Sequence, residues 1–381
     1  MTGLLLAVIA FEGPDAQRVP LDTLVARANA YQEKTPVGAT FGKEKAGDWQ
    51  FIGPLPLTEE YWSDGTVSGR TSFVLNHPTD PDIVYIAAAG GGVWKTTDGG
   101  DTWEVLTDAL PSLASGALAF EPGNTNVIYY GMGEMHYSGD SKNGDGLYRS
   151  EDAGQTWTKI ASVSDAGNHI SRVVINPVNT NIIMVARDNG VARSTDRGAT
   201  WERVIYTSWV SDLAMAPDSP NLYFAGVNGL GVYVSRDTGV TWTRLEGGLP
   251  GSPDPFYRIQ LAISQSNPDI IYASFTNNNS GLYGLYKTTD RGNSWVKLEN
   301  TPDYLYPQGW YDNCLIVNPT NPDIVYGGGV FPYGSGYYGI VRTTDGGVTW
   351  EDITDQSPNG RVHPDIHHFS FDVNGNLWVS C

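Results

Sequence analysis

Read for its pattern of apolar and polar positions, the chain alternates short β-branched and aromatic runs with Gly, Pro, Asn and Asp clusters, the signature of brief strands joined by tight turns. TSFVLNHP ends in a proline turn, PDIVYIAAA follows as a second run, GVWKTTDGG is a third and TWEVL a fourth. The same order returns downstream, as SRVVINP with NIIMVA, LAISQSNP with DIIYASF, and CLIVNP with PDIVYGGG. Helical spacing occurs near the start, in LDTLVARANAYQEK, where Leu21, Leu24, Val25 and Ala28 share one face. Residues 12–46 therefore read as a helical and linking segment. Residues 3–11, GLLLAVIAF, have the length of the apolar part of a signal peptide, with Val8 and Ala10 before a cleavage point but no basic stretch ahead of them, so residues 1–11 are expected to be a truncated signal peptide.

One octet, Ser/Thr-x-Asp-x-Gly-x-Thr/Ser-Trp, closes each cycle of runs and recurs six times. Its aspartates are Asp98, Asp152, Asp196, Asp237, Asp290 and Asp345, at intervals of 54, 44, 41, 53 and 55 residues, and its tryptophans are Trp103, Trp157, Trp201, Trp242, Trp295 and Trp350. Each interval holds four strands of ordinary length, one propeller blade. A lone blade cannot bury both faces, so the blades must stack around an axis. The octet is predicted to be the hairpin between third and fourth strands: the carboxylate accepts backbone N–H bonds within its turn, the fifth-position Gly supplies positive φ, and the Trp covers the seam to the adjoining sheet. Six equivalent carboxylates spread around a ring cannot converge on one substrate, so these twelve residues are assigned to folding. The last segment, HPDIHHFSFDVNGNLWVSC, reads as two strands of a seventh unit whose octet is absent. The prediction is an all-β propeller of four-stranded blades over residues 47–381, six complete plus the start of a seventh, within a longer chain.

Bulk composition narrows the function. With 45 Gly, 12 Trp and 21 Tyr, and 17% charged residues, it suits strands packed through aromatic rings. Acidic residues outnumber basic ones by 42 to 23, for a net charge of -19, which repels phosphate backbones and makes nucleic acid an unsuitable partner. Solubility in a salty exterior explains the acidity; Ca2+ binding is the alternative. Cys314 and Cys381 are too few for a disulfide framework, and no apolar stretch reaches the length of a transmembrane helix.

The octets resemble the Asp-box of BNR-repeat proteins, and GGVWKTTDGGDTW with NPDIVY is similar to sortilin-type and xyloglucanase-type propellers and to the related photosystem II assembly factor. WQFIGP, GMGE and HPDIH together resemble bacterial secreted BNR-repeat proteins. The resemblance implies a secreted or cell-surface location. It also implies that xyloglucanase-type carboxylates lie in a cleft between two propellers, of which this chain supplies one.

If the octets occupy one rim, the loops leading into each first strand and those joining second to third strands open on the other. Arg70, His169, Trp209, Tyr257, Arg258, Tyr311, Asp312 and His367 then stand near the innermost strands. Glu134 and His136, Arg187 and Asp188, Asn277 to Asn279, and the segment around Tyr333 come from the joining loops. Sugar rings offer apolar C–H faces to aromatics, so Trp209, Tyr257, Trp310, Tyr311 and Tyr333 are candidate stacking platforms for a polysaccharide, or contacts for a protein segment. Glycoside hydrolysis would need two carboxylates, for which Glu134, Asp188, Asp312 and Asp365 are candidates. A sialidase would need converging arginines, for which Arg70, Arg172, Arg187 and Arg258 are available, but YRIQ at 257–260 lacks that family's Pro. His363, Asp365 and His367 alternate as a transition-metal site could use, although a polar plug at the channel mouth, with His367 bonded to backbone, is the favoured reading of the same residues. No cofactor is expected. The readings are a binding propeller first, a xyloglucanase-like hydrolase second, and the scaffold of a larger surface protein third.

Overall fold

The computed structural model describes residues 69–381 apart from 137, 252–253, 331–338, 355–361 and 363. The expected signal peptide, the helical segment, Tyr333 and His363 fall outside these residues.

Six four-stranded antiparallel sheets follow one another, each a simple meander, and a two-stranded sheet comes last. Their innermost strands are Thr71–Asn76, Ser115–Glu121, Ile170–Ile175, Val210–Met215, Phe256–Ile263, Cys314–Val317 and His368–Phe371, for blades 1 to 7. Each innermost strand packs against the next, and that of blade 7 packs against blades 6 and 1, so the ring closes. Thr71 N donates to Cys381 O at 3.0 Å, and Phe73 stacks on His368 with ring centroids 3.7 Å apart. Among the described residues only one helical turn, Val163–Ala166, interrupts the strands.

Burial follows the radius. Second strands such as Ile183–Arg187 and Tyr223–Val227 are buried throughout, because sheets press on both of their faces, and each fully buried aliphatic side chain there contributes about 1.5–3 kcal/mol. The fourth strands are short and carry the exposed residues, as in Glu104–Val105 and Val296–Lys297. The largest apolar cluster runs through blades 1, 2 and 3, from Phe73 and Tyr85 through Tyr129 and Tyr130 to Ile183, so the core lies between blades.

The octet joins the third strand to the fourth in all six complete blades. In blade 1, Thr102 N and Thr102 Oγ1 donate to Asp98 at 2.9 and 2.6 Å, Thr96 Oγ1 donates to it at 2.7 Å, and Gly100 N donates to Thr96 Oγ1 at 3.0 Å. These bonds, led by the Thr102 hydroxyl, hold the exposed Asp98 carboxyl down at about 2. The Trp indole turns back onto the fifth-position carbonyl: Trp201 Nε1 donates to Gly198 O at 3.0 Å and to Ile160 O of blade 2 at 3.2 Å, which stitches blade 3 to its neighbour. Positive φ at Gly198 is matched by positive φ one residue earlier, at Arg197, and likewise at Ala153, Thr238 and Arg291. The sequence reading placed the left-handed backbone only at the glycine. Two of these fourth-position residues reach the preceding blade, Arg197 pairing with Glu121 at 2.9 Å and Arg291 with Asp218 at 2.5 Å.

Candidate functional site

Because every blade is a meander, the octets share one end of the ring, and the segments leading into the innermost strands share the other, the mouth. Arg70, His169, Trp209 and His367 stand immediately before the innermost strands of blades 1, 3, 4 and 7, Tyr257 and Arg258 lie within the first strand of blade 5, and Tyr311 and Asp312 precede that of blade 6. The long loop between the second and third strands of blade 2 adds residues 133–146. It starts on Gly133, at φ 86°, where a Cβ would sit 1.8 Å from Asn168 O; only glycine lets the loop pass this close to blade 3.

That approach delivers Glu134 to the mouth. Its carboxylate is buried and takes Arg70 Nη2 at 2.6 and 2.8 Å, while its own carbonyl accepts His169 Nδ1 at 3.0 Å. Burial pushes the Glu134 carboxyl up in pKa against the pull of Arg70. Arg70 Nη1 also donates to Tyr311 Oη at 2.9 Å and faces Asp140 at 3.5 Å, whose carboxyl is held low by the Ser138 hydroxyl.

Tyr311 is the meeting point. Its carbonyl accepts His136 Nδ1 at 3.3 Å and a short bond from Arg258, and its ring stands edge-on to His367 at 4.9 Å. His136 and His367 stack with centroids 4.0 Å apart. His367 Nδ1 faces Thr71 O at 3.1 Å, and a carbonyl can only accept, so that nitrogen carries the proton. Nε2 lies 3.3 Å from Asp312 Oδ1. Burial lowers His367 to about 4 and lifts Asp312 well above the usual carboxylate range, with Asp365 adding to the rise. Both shifts agree with a neutral imidazole beside a protonated acid. Gln308 Nε2 bridges the two aspartates, at 3.2 Å to Asp312 and 2.8 Å to Asp365.

This network corrects part of the sequence reading. Tyr311, Arg258, His136, His367 and Asp312 were expected at the ligand, yet all are buried, because the strands crowd together near the axis. They tie blades 1, 2, 5, 6 and 7 together across the mouth, and Tyr311 offers no stacking face. The four arginines do not converge either: Arg70 holds Glu134, Arg172 holds Asp212 at 2.8 Å, Arg187 donates to Ser164 O and Arg258 to Tyr311 O. Asp188 stands apart and accepts Asn168 N at 3.2 Å, and Asn277 closes its own turn by accepting Asn279 N at 2.8 Å. Of the metal candidates, Asp365 accepts Gln308 and His367 donates to Thr71 O; among the described residues no three His, Cys, Asp or Glu gather to hold an ion. Gln308, Asp140 and Asp212 went unforeseen. Asp212 alone left a signal, a carboxylate inside the apolar strand VSDLAM, where it accepts Leu261 N at 2.8 Å.

Beside the network lies an open cleft of about 440 Å³ lined by Glu134, Ser138, Gly139, Ser141, His169 and Trp209. His169 and Trp209 form its aromatic wall, with ring centroids 5.4 Å apart. Tyr257 and Trp310 are more exposed, each at 37%.

Fold and mouth together define an all-β propeller with octet turns on one end and a cleft on the other. The chain belongs to the DUF6242 beta propeller domain family, whose model matches residues 113–381. It is 24% identical over 366 residues to the xyloglucanase Xgh74A of Acetivibrio thermocellus, covering 84% of this chain and 42% of that protein. The xyloglucanase of Hypocrea jecorina is 25% identical, over 77% of this chain and 34% of its own length. The chain thus spans less than half the length of these relatives. In fold it is similar to the GH74 xyloglucanase of Xanthomonas campestris, with a TM-score of 0.63 at 19% identity over 82% of this chain and 50% of that one. YCF48 from Cyanidioschyzon merolae gives 0.56 at 15% identity, over 82% and 92%. No helix among the described residues is long and apolar enough to cross a membrane.

Proposed function

We propose that this chain is a secreted or cell-surface binding propeller that holds a polysaccharide at its mouth, and that its octets are Asp-boxes of the BNR kind. The observation that carries the reading is the cleft: an aromatic wall, His169 with Trp209, faces hydroxyls on Ser138 and Ser141, the pairing that apolar and hydroxylated faces of a sugar require. Kinship to xyloglucanases supports a carbohydrate ligand. Hydrolysis is the second reading, favoured by Asp312 and Asp365 sharing one amide. Against it, Asp312 is wholly buried and Glu134 is committed to Arg70. Titration calorimetry with xyloglucan oligosaccharides, run beside a reducing-sugar assay, separates the readings. Binding without sugar release, weakened by Trp209→Ala, is expected. Release that disappears in Asp312→Asn and Asp365→Asn establishes the hydrolase instead, and neither binding nor release leaves the scaffold.

A further inference from the structure

The exposed aromatics are distributed unevenly. Among the described residues, Tyr206, Tyr257, Tyr306 and Trp310 are the exposed ones, and all four lie in segments at the mouth. At the octet end the large apolar residues left exposed, Val178, Val240, Val348 and Val373, are valines. The mouth aromatics also form a sequence. His169 and Trp209 rings adjoin; the turn after the second strand of blade 4 then joins Trp209 to Tyr257, because Asn228 N donates to Trp209 O at 2.9 Å and Gly229 N to Tyr257 O at 3.0 Å. Arg258, the next residue, donates to Trp310 O at 3.3 Å. Four aromatic residues thus follow one another over blades 3, 4, 5 and 6, the first two in ring contact and the others linked through their main chains. On the other side of the mouth Arg70, His136, Tyr311 and His367 are engaged with one another.

We propose that an uncharged linear glycan lies side-on across blades 3 to 6, its successive sugar rings stacked on His169, Trp209, Tyr257 and Trp310. This rests on the carbohydrate reading above and adds the direction, the extent and the charge class of the ligand. An acidic sugar is disfavoured because the nearby guanidinium groups are already engaged, Arg70 with Glu134, Arg187 with Ser164 O and Arg258 with Tyr311 O, whereas Asp140 and Asp188 add negative charge. Side-on binding reads internal units of a polymer, so free chain ends are not needed.

The test is calorimetry with cello- and xylogluco-oligosaccharides of increasing length, with oligogalacturonate as the acidic probe, on the wild type and on Trp209→Ala, Tyr257→Ala, Trp310→Ala and the octet-end control Val178→Ala. Affinity is expected to rise with length until the track is filled. Each of the three aromatic variants should bind the longest oligosaccharide roughly three- to tenfold more weakly, and Val178→Ala should match the wild type. The shortest oligosaccharide should lose affinity in only some of the three, and thermal melting should confirm that each variant folds. Length-independent affinity that depends on Trp209 alone, or preference for oligogalacturonate, overturns the track while leaving a carbohydrate site. No binding by any probe overturns both.

Discussion

The two ends of the ring use the same carboxyl group to opposite effect. At the octet end Asp98, Asp237, Asp290 and Asp345 are bathed in solvent, yet hydroxyl and backbone N–H donors within each turn hold them ionised down to about pH 2. At the mouth Glu134 and Asp312 are withdrawn from water and their pKa values rise, even with Arg70 and Arg258 nearby. Local bonding dominates where the group is wet and desolvation dominates where it is dry. The octet device needs eight consecutive residues and is repeated; the mouth network draws scattered residues from five blades and is not repeated among the described residues.

The sharpest way to break this contrast is at a seam. Trp201→Ala removes an indole bonded to both Gly198 O and Ile160 O, and should cost about 3–4 kcal/mol in urea unfolding while leaving oligosaccharide affinity intact below the transition. Acid should next separate the ends. His136 and His367 are buried neutral, half-buried His368 is lowered by desolvation as well, and His367 falls from 6.5 to about 4, so its stabilisation is complete above pH 6.5 and is lost as the pH falls toward 4. Asp312 and Glu134 work the other way, since their raised pKa values strengthen the fold as the pH falls. The histidine contribution, on the order of 3 kcal/mol for His367, should show as a positive slope of stability against pH that flattens in His367→Gln. Octet carboxylates, lowered from 3.8, should add their own loss only further down, between about pH 4 and 2. A smaller effect, about 2 kcal/mol, is expected for Glu134→Ala, which leaves the half-buried Arg70 guanidinium with only Tyr311 Oη and the more distant Asp140; Arg70→Met in the same chain should recover part of it in the same unfolding assay.

The octet end was legible because its chemistry is contiguous: Asp98 meets Thr96 and Thr102, two and four residues away. The propeller, the blade count and the position of each turn followed from that repetition. What escaped was the left-handed backbone at Arg197 and Arg291, where an arginine occupies a conformation that glycine prefers. Both arginines pair with the preceding blade, an interaction that no local pattern encodes. At the mouth, alignment of the repeats located Arg70, His169, Trp209 and Tyr311 beside the innermost strands. It could not tell Tyr257, whose ring emerges, from Tyr311, whose ring is covered, because burial there depends on a loop 175 residues away in sequence that brings His136 against the Tyr311 carbonyl.

Repeat architectures commonly come apart unit by unit, since each unit touches only its neighbours. Tyr311 departs from that arrangement, because side chains from blades 1 and 2 as well as from adjacent blade 5 all end on this one blade 6 residue. Such a hub couples distant parts of the ring the way spokes couple a rim. Calorimetric and van't Hoff enthalpies should therefore coincide, and piecemeal melting should emerge only after the tyrosine hub is removed.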